Sequence, residues 1–106
     1  MRDLDIKDVN FDDNGLAPCV VQNHETGKVL MLGYMNLESL KLTLSSRRVT
    51  FYSRSRQQLW EKGESSGNTL ELVEVSLDCD GDAILAKVKP IGPTCHTGAE
   101  SCFEEA

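Results

Sequence analysis

The sequence predicts a mainly β domain with one helix, of the α+β class, filling residues 1–106 as a single unit. Three observations carry that expectation. Leu70–Leu77 alternates apolar and polar residues, and Ala83–Lys89 does the same, as half-buried strands do. Two apolar runs, Leu16–Asn23 and Lys28–Met35, flank the short break His24-Glu25-Thr26-Gly27, which is the pattern of a β-hairpin. Only one stretch has helical spacing: Leu37, Leu40 and Leu44 recur behind Asn36, a residue suited to capping a first turn.

In chain order, residues 1–15 form a polar, acidic segment that ends in the turn-forming Asp12-Asp13-Asn14-Gly15. The hairpin follows, with His24 at the surface of its turn, and then the helix, expected to run to Ser45. Val49–Ser53 and Gln58–Lys62 read as extended segments. Gly63-Glu64-Ser65-Ser66-Gly67-Asn68 is rich in turn formers and reads as a loop. After the strand pair, Pro90-Ile91-Gly92-Pro93 stops the ladder, because proline has no N–H to donate. The remaining C-terminal stretch is expected to be long and irregular.

Composition narrows the function. Apolar residues make up 40% and charged residues 26%, as in ordinary globular chains. A net charge of −6 repels a polyphosphate backbone, so nucleic acid is not the expected partner. No apolar run approaches the roughly 20 residues of a membrane helix. The start, Met1-Arg2-Asp3-Leu4-Asp5, is too acidic and too broken for a signal peptide. The expectation is a cytoplasmic protein without membrane partners.

In a reducing compartment, Cys19, Cys79, Cys95 and Cys102 are thiols, metal ligands or catalytic groups rather than disulfides. Cys19 lies in an apolar run and reads as a small buried hydrophobe. Cys79, Cys95 and Cys102 together admit a three-thiolate zinc site with a fourth position open for water. His96 could close that site as a fourth ligand, act as an acid or base beside it, or stand free in solvent.

Asp78, Asp80 and Asp82 alternate around Cys79 and Gly81. Were the preceding strand to continue, the three carboxylates would share one face and Cys79 would point to the other. Three adjacent carboxylates repel one another unless a hard cation such as Mg²⁺ sits between them. A plain acidic turn is the competing reading, since Asp-Gly is a frequent hairpin signal.

Arg47, Arg48, Arg54 and Arg56 place four of the eleven basic residues within one ten-residue stretch. Such an island in an acidic chain suits a small phosphorylated ligand, although on charge alone a solvated strand-turn surface accounts for it better. Trp60 could stack on a base or sit in the core. Ser66 could offer its hydroxyl to the same ligand.

Taken together, these segments resemble a known family. Gly33-Tyr34-Met35-Asn36, Thr50-Phe51-Tyr52-Ser53-Arg54-Ser55-Arg56, Leu59-Trp60-Glu61-Lys62-Gly63-Glu64 and Ser66-Gly67-Asn68 resemble phosphoribosyl-AMP cyclohydrolases of histidine biosynthesis. Asp78-Cys79-Asp80-Gly81-Asp82, Gly92-Pro93-Thr94-Cys95-His96-Thr97-Gly98 and Ser101-Cys102-Phe103 extend the resemblance from about Leu16 to Phe103. Cys19, where a small apolar residue is usual, is the one departure. The chain looks like the stand-alone form, without the pyrophosphatase domain that some members carry.

The resemblance implies hydrolysis of the C6–N1 bond of N1-(5-phosphoribosyl)-AMP, by water adding at C6. It implies a small β pseudo-barrel capped by a helix, in an intertwined homodimer. It implies zinc on Cys79 of one subunit with Cys95 and Cys102 of the other, and Mg²⁺ on Asp78, Asp80 and Asp82. It also makes His96 the proton carrier, and Arg54, Arg56, Trp60 and Ser66 substrate contacts. Two alternatives stand beside it. One is a binding module in which Cys79, Cys95, Cys102 and His96 all hold a structural zinc without chemistry. The other is a zinc nucleobase deaminase, whose His-x-Glu and Pro-Cys-x-x-Cys patterns do not occur here.

Overall fold

The computed structural model describes residues 3–103. The N-terminal apolar runs pair as strands β1 (Ala17–Asn23) and β2 (Val29–Met35), antiparallel, with Ala17 opposite Met35 and Val21 opposite Met31. The register shifts between Val21 and Gln22, which sets Val29 opposite Gln22. The extra residue turns Leu30 fully into the core and leaves Val29 40% exposed. In the connecting turn the Asn23 side chain accepts the N–H groups of Glu25 and Thr26.

Helix α1 (Leu37–Ser46) starts where Asn36 was expected to cap it. The Asn36 side chain accepts the Ser39 N–H at 2.8 Å, and the Ser39 hydroxyl accepts the Asn36 N–H at 2.9 Å. Two otherwise orphaned donors are satisfied reciprocally. Helix α1 buries Ser39, Leu40 and Thr43. The Thr43 hydroxyl accepts the Thr50 N–H at 3.0 Å and so fastens the helix to the next strand.

Strands β3 (Thr50–Ser53) and β4 (Gln58–Glu61) form a two-stranded sheet, while β5 (Leu70–Leu77) and β6 (Ile84–Pro90) join the first hairpin. The larger sheet has the order β2-β1-β6-β5. All its pairings are antiparallel except β1–β6, which is parallel from Cys19 opposite Ile84 to Asn23 opposite Val88. The mainly β class with a single α-helix is as expected. The two sheets are not closed into a barrel, although an isolated bridge between Arg48 and Glu71 ties the smaller one to β5.

The core lies on one face of the large sheet, where Cys19, Val21, Ile84, Ala86, Val88 and Val75 meet Phe51, Leu40 and Met35. On the opposite face Val20 stands in register with both Leu32 and Leu85, and Leu32 is 46% exposed. The N-terminal segment is polar by composition, yet Val9 is buried, and Leu4, Ile6 and Phe11 pack against the core. The Leu4 N–H donates to the Val75 carbonyl at 2.9 Å, which lines this segment along β5.

Gly33 faces Cys19 across the hairpin, on the core side. A Cβ there would lie 2.6 Å from two carbons of the Phe51 ring. The missing side chain is what lets the ring lie against β2. Gly33→Ala should destabilise the fold by about 1–3 kcal/mol through overpacking, measured by chemical denaturation. An unchanged midpoint would show that Phe51 has room to move.

Candidate active site

Strand β5 ends at Leu77, and the chain turns before β6 begins at Ile84. The extended continuation considered from sequence does not form. Gly81 takes φ +77° and lies so close to the N-terminal segment that a Cβ would meet the Asp8 carbonyl at 2.7 Å. The Asn10 N–H donates to the Gly81 carbonyl at 2.8 Å, and the Asn10 amide donates to the Asp80 carbonyl at 2.7 Å. The Asp78 carboxylate accepts the N–H groups of Asp82 and Ala83 at 3.1 and 3.2 Å.

The turn gathers what the extended strand would have aligned. One carboxylate oxygen from each of Asp78, Asp80 and Asp82 lies within 4.8 Å of the other two. Their electrostatics show the crowding. Hydrogen bonding from Asp80 and Asp78, with partial desolvation and their like charge, pushes the Asp82 carboxyl up to about 6. Partial desolvation works to raise Asp78 as well, but hydrogen bonds from the Ala83 N–H, Asp80 and Asp82 outweigh it and hold Asp78 below its ordinary value. An all-oxygen, exposed, anionic set of this kind fits a hard divalent cation.

The second donor set lies in the irregular segment after β6. The Cys102 N–H donates to the Leu30 carbonyl at 2.7 Å, and the Ser101 hydroxyl donates to the Val29 carbonyl at 2.7 Å. These bonds fasten the segment along the free edge of β2. The Thr97 hydroxyl donates to the Cys95 sulfur at 3.1 Å. That bond is the main reason the Cys95 thiol is held below its ordinary range. Cys102 is raised, first by burial and then by Cys95, with which it interacts. The Lys62 charge favours the thiolate of both. Two neighbouring cysteine sulfurs are soft donors of the kind zinc selects. His96 is exposed on the same segment, next to Cys95.

Register fixes where these sets lie. β2 and β5 are the two edge strands of the large sheet. Cys79 follows β5 at the end of the sheet where Cys19 pairs with Ile84. Cys102 sits by Leu30, towards the other end of β1 and on the other edge. The acidic turn and the thiol pair therefore occupy diagonally opposite corners. Among the described residues the three aspartates are the only group of three ligand-type side chains brought together, and Cys79 does not reach Cys95 and Cys102 within one chain.

The substrate contacts expected from sequence fall around β3 and β4. Arg54 and Arg56 are exposed in the connecting turn, and Ser66 is exposed in the loop after β4. Trp60 is half-buried and packs on Phe51 with ring centroids 5.4 Å apart. Arg54 lies over the Tyr34 ring at 3.9 Å from its centroid. Sequence reasoning missed Lys62, Thr97 and Asn10. Thr97 stood inside the Cys95 motif and carried a signal; Asn10 lay in a segment read only as polar.

The chain matches the family model for phosphoribosyl-AMP cyclohydrolase (PRA-CH) over residues 31–104. It is 58% identical over 103 residues to a histidine biosynthesis bifunctional protein, HisIE, from Thermus thermophilus, covering 97% of this chain and 48% of that protein. This chain thus spans about half the length of that relative. It is 56% identical over 98 residues to a phosphoribosyl-AMP cyclohydrolase from Chlorobaculum tepidum, covering 92% of this chain and 72% of the relative. A third relative, the phosphoribosyl-AMP cyclohydrolase of Chloroherpeton thalassium, is 59% identical over 95 residues, with coverages of 90% and 68%.

The fourth thiol behaves differently from the other three. Cys19 is fully buried, and burial pushes it from an ordinary 9.0 up to about 12. The folded state thus holds that proton more tightly than the unfolded chain does. The stabilisation is complete below about pH 9 and is lost as pH rises towards 12. The stability difference between wild type and Cys19→Ala should be flat below that window and shrink within it. Denaturant titrations across the range measure this, and a difference independent of pH would contradict it.

Proposed function

The chain belongs to the phosphoribosyl-AMP cyclohydrolase family, and from that premise we propose that it hydrolyses the C6–N1 bond of N1-(5-phosphoribosyl)-AMP in histidine biosynthesis. The observation that carries this reading is the content of residues 31–104, the span of the family match. They hold the carboxylate cluster, the thiol pair and the arginine-bearing turn. In the reaction, the oxygen of water bonds to C6 and the C6–N1 bond breaks; one of the two protons ends on N1 and the other on the exocyclic nitrogen, so that C6 becomes a carboxamide. Substitution at N1 already weakens the aromaticity of the six-membered ring, so C6 is open to addition.

We assign zinc to Cys79, Cys95 and Cys102, and Mg²⁺ to Asp78, Asp80 and Asp82. Zinc, when bound, supplies a nucleophile at neutral pH by lowering the pKa of water from 15.7 to roughly 7. The chain's own groups do the rest. His96, beside Cys95, carries the proton delivered to N1 as the bond opens. Arg54 and Arg56 bind phosphate oxygens, Trp60 offers an aromatic wall, and Ser66 offers a hydroxyl. The aspartates, with their cation, offset the repulsion between an acidic chain and an anionic substrate.

The site is completed in a homodimer, working in the cytoplasm. The support for the dimer is the diagonal placement of the donor sets. A two-fold axis lying between two stacked sheets, perpendicular to the line that joins the two corners, would bring the acidic turn of each copy to the thiol corner of the other, twice over. The in-register apolar residues Val20, Leu32 and Leu85 offer each copy a surface to stack on.

Ring opening followed spectrophotometrically should stop on chelation and return with zinc and Mg²⁺. Full turnover in the chelated protein would defeat the zinc assignment, and a zinc-loaded protein without turnover would favour the structural module.

Complementation tests sharing. Cys79→Ser and Cys95→Ser should each be inactive. After subunit exchange, each mixed dimer has one site carrying both lesions and one carrying neither. With half the dimers mixed, recovery should approach roughly a quarter of wild type on symmetry grounds. No recovery after demonstrated exchange would place the site within one chain.

A further inference from the structure

We propose that the turn between β3 and β4 reads the two phosphates of the substrate separately, one arginine and one hollow to each; this rests on the reaction proposed above. The turn Arg54–Gln57 is flanked by two surface hollows. One, of about 340 Å³, is lined by Asn14, Leu16, Tyr52, Arg54 and Gln57. The other, of about 280 Å³, is lined by Ser53, Ser55, Arg56 and Trp60. Each contains one guanidinium and neutral hydrogen-bonding groups, and among the described residues neither is lined by a carboxylate.

The second observation is the pairing of the cations. Arg47 is taken by Asp3 and the Val73 carbonyl, and Arg48 faces Glu61. Among the described residues, Arg54 and Arg56 form no ion pair, although the chain has seventeen acidic residues. Two unpaired guanidinium groups on one four-residue turn suit a ligand with two dianionic ends. N1-(5-phosphoribosyl)-AMP is such a ligand, with one phosphate on each of its two riboses.

The hollows are built differently. Tyr34 supports Arg54 with its ring beneath the guanidinium, a contact that holds the fork without neutralising it. Around Arg56, the Ser53 hydroxyl accepts the Arg56 N–H at 3.2 Å and lies 3.4 Å from the Ser55 hydroxyl. The two hydroxyls share a hydrogen bond, and when Ser53 donates it the Ser55 O–H is directed outward, with the guanidinium, for phosphate oxygens beside the Trp60 indole. Tyr34 is thus a positioning residue for Arg54.

Inorganic phosphate tests this without turnover. Calorimetric or ³¹P titration should find two phosphate equivalents per chain in the wild type and one in Arg54→Ala or Arg56→Ala. A single equivalent abolished by either change would overturn the split. With substrate, each change should raise KM by about tenfold or more, as for lost charge-assisted hydrogen bonds. The two fold-changes should multiply in the double variant. A double variant no worse than the weaker single one would place both arginines on one phosphate and refute the proposal. Tyr34→Leu should reproduce the Arg54→Ala rise in KM, with Tyr34→Phe restoring it. Melting temperatures should not move, since exposed arginines contribute little to stability. A fall in melting temperature matching the loss of binding would assign these side chains to the fold instead. Wild type that binds two phosphates without opening the ring would defeat the proposed reaction and leave the two hollows standing.

Discussion

Five residue pairs, from Cys19 opposite Ile84 to Asn23 opposite Val88, join the N-terminal hairpin to the C-terminal one in parallel. Either hairpin alone would be marginal in water. Joined, they form four strands with one continuous apolar face, on which Cys19, Val21, Ile84, Ala86 and Val88 are all buried. Parallel neighbours need a long crossover. Here it comprises β2, α1, the small sheet and β5, so most of the domain lies between the two strands that the ladder joins. It also makes β2 and β5 the outer strands, which separates the thiol corner from the acidic corner. The distribution of the chemistry follows from that pairing.

Features with local causes were legible in the sequence. The first hairpin follows from two apolar runs and a short break, and each of its strands starts one residue after the expected run and ends where that run ends. Strand β5 occupies Leu70–Leu77, the stretch whose alternation marks it. Helix α1 begins after Asn36 because a side-chain acceptor there satisfies an orphan N–H, and that chemistry is written in one residue. Thiols at Cys79, Cys95 and Cys102 and carboxylates at Asp78, Asp80 and Asp82 were equally visible, since residue types carry their donor chemistry with them.

What was not legible depends on distant partners. Periodicity says that Ala17–Asn23 and Ile84–Pro90 are strands, but not that they lie side by side and parallel. The acidic turn is the sharper case: Asp80-Gly81 signals that the chain can turn there, but not what holds the turn. Alternation alone would carry the strand through Asp82 with its carboxylates splayed along one face. The chain instead turns because Asn10 captures two carbonyls of the turn and Gly81 accepts the close approach of Asp8. Both partners come from the opposite end of the sequence. The same contacts explain why a polar N-terminal segment is held in place: its few apolar residues, Leu4, Ile6, Val9 and Phe11, are used against the core.

Charge shows how folding can divide a feature that the sequence presents as one. Arg47, Arg48, Arg54 and Arg56 form a single basic island on paper. Arg47 caps α1 in the left-handed conformation at φ 61°, and its guanidinium ties the helix end to Asp3 and to β5. Arg48 sits at the bridge between the two sheets, opposite Glu61. Half of the island is therefore structural and already neutralised. The other half stands on a turn held out by a two-stranded ladder, with one member propped on an aromatic face instead of a carboxylate. An aromatic support keeps a guanidinium in place while leaving its charge available. In a chain of net charge −6, that difference decides which cations remain for an anionic ligand.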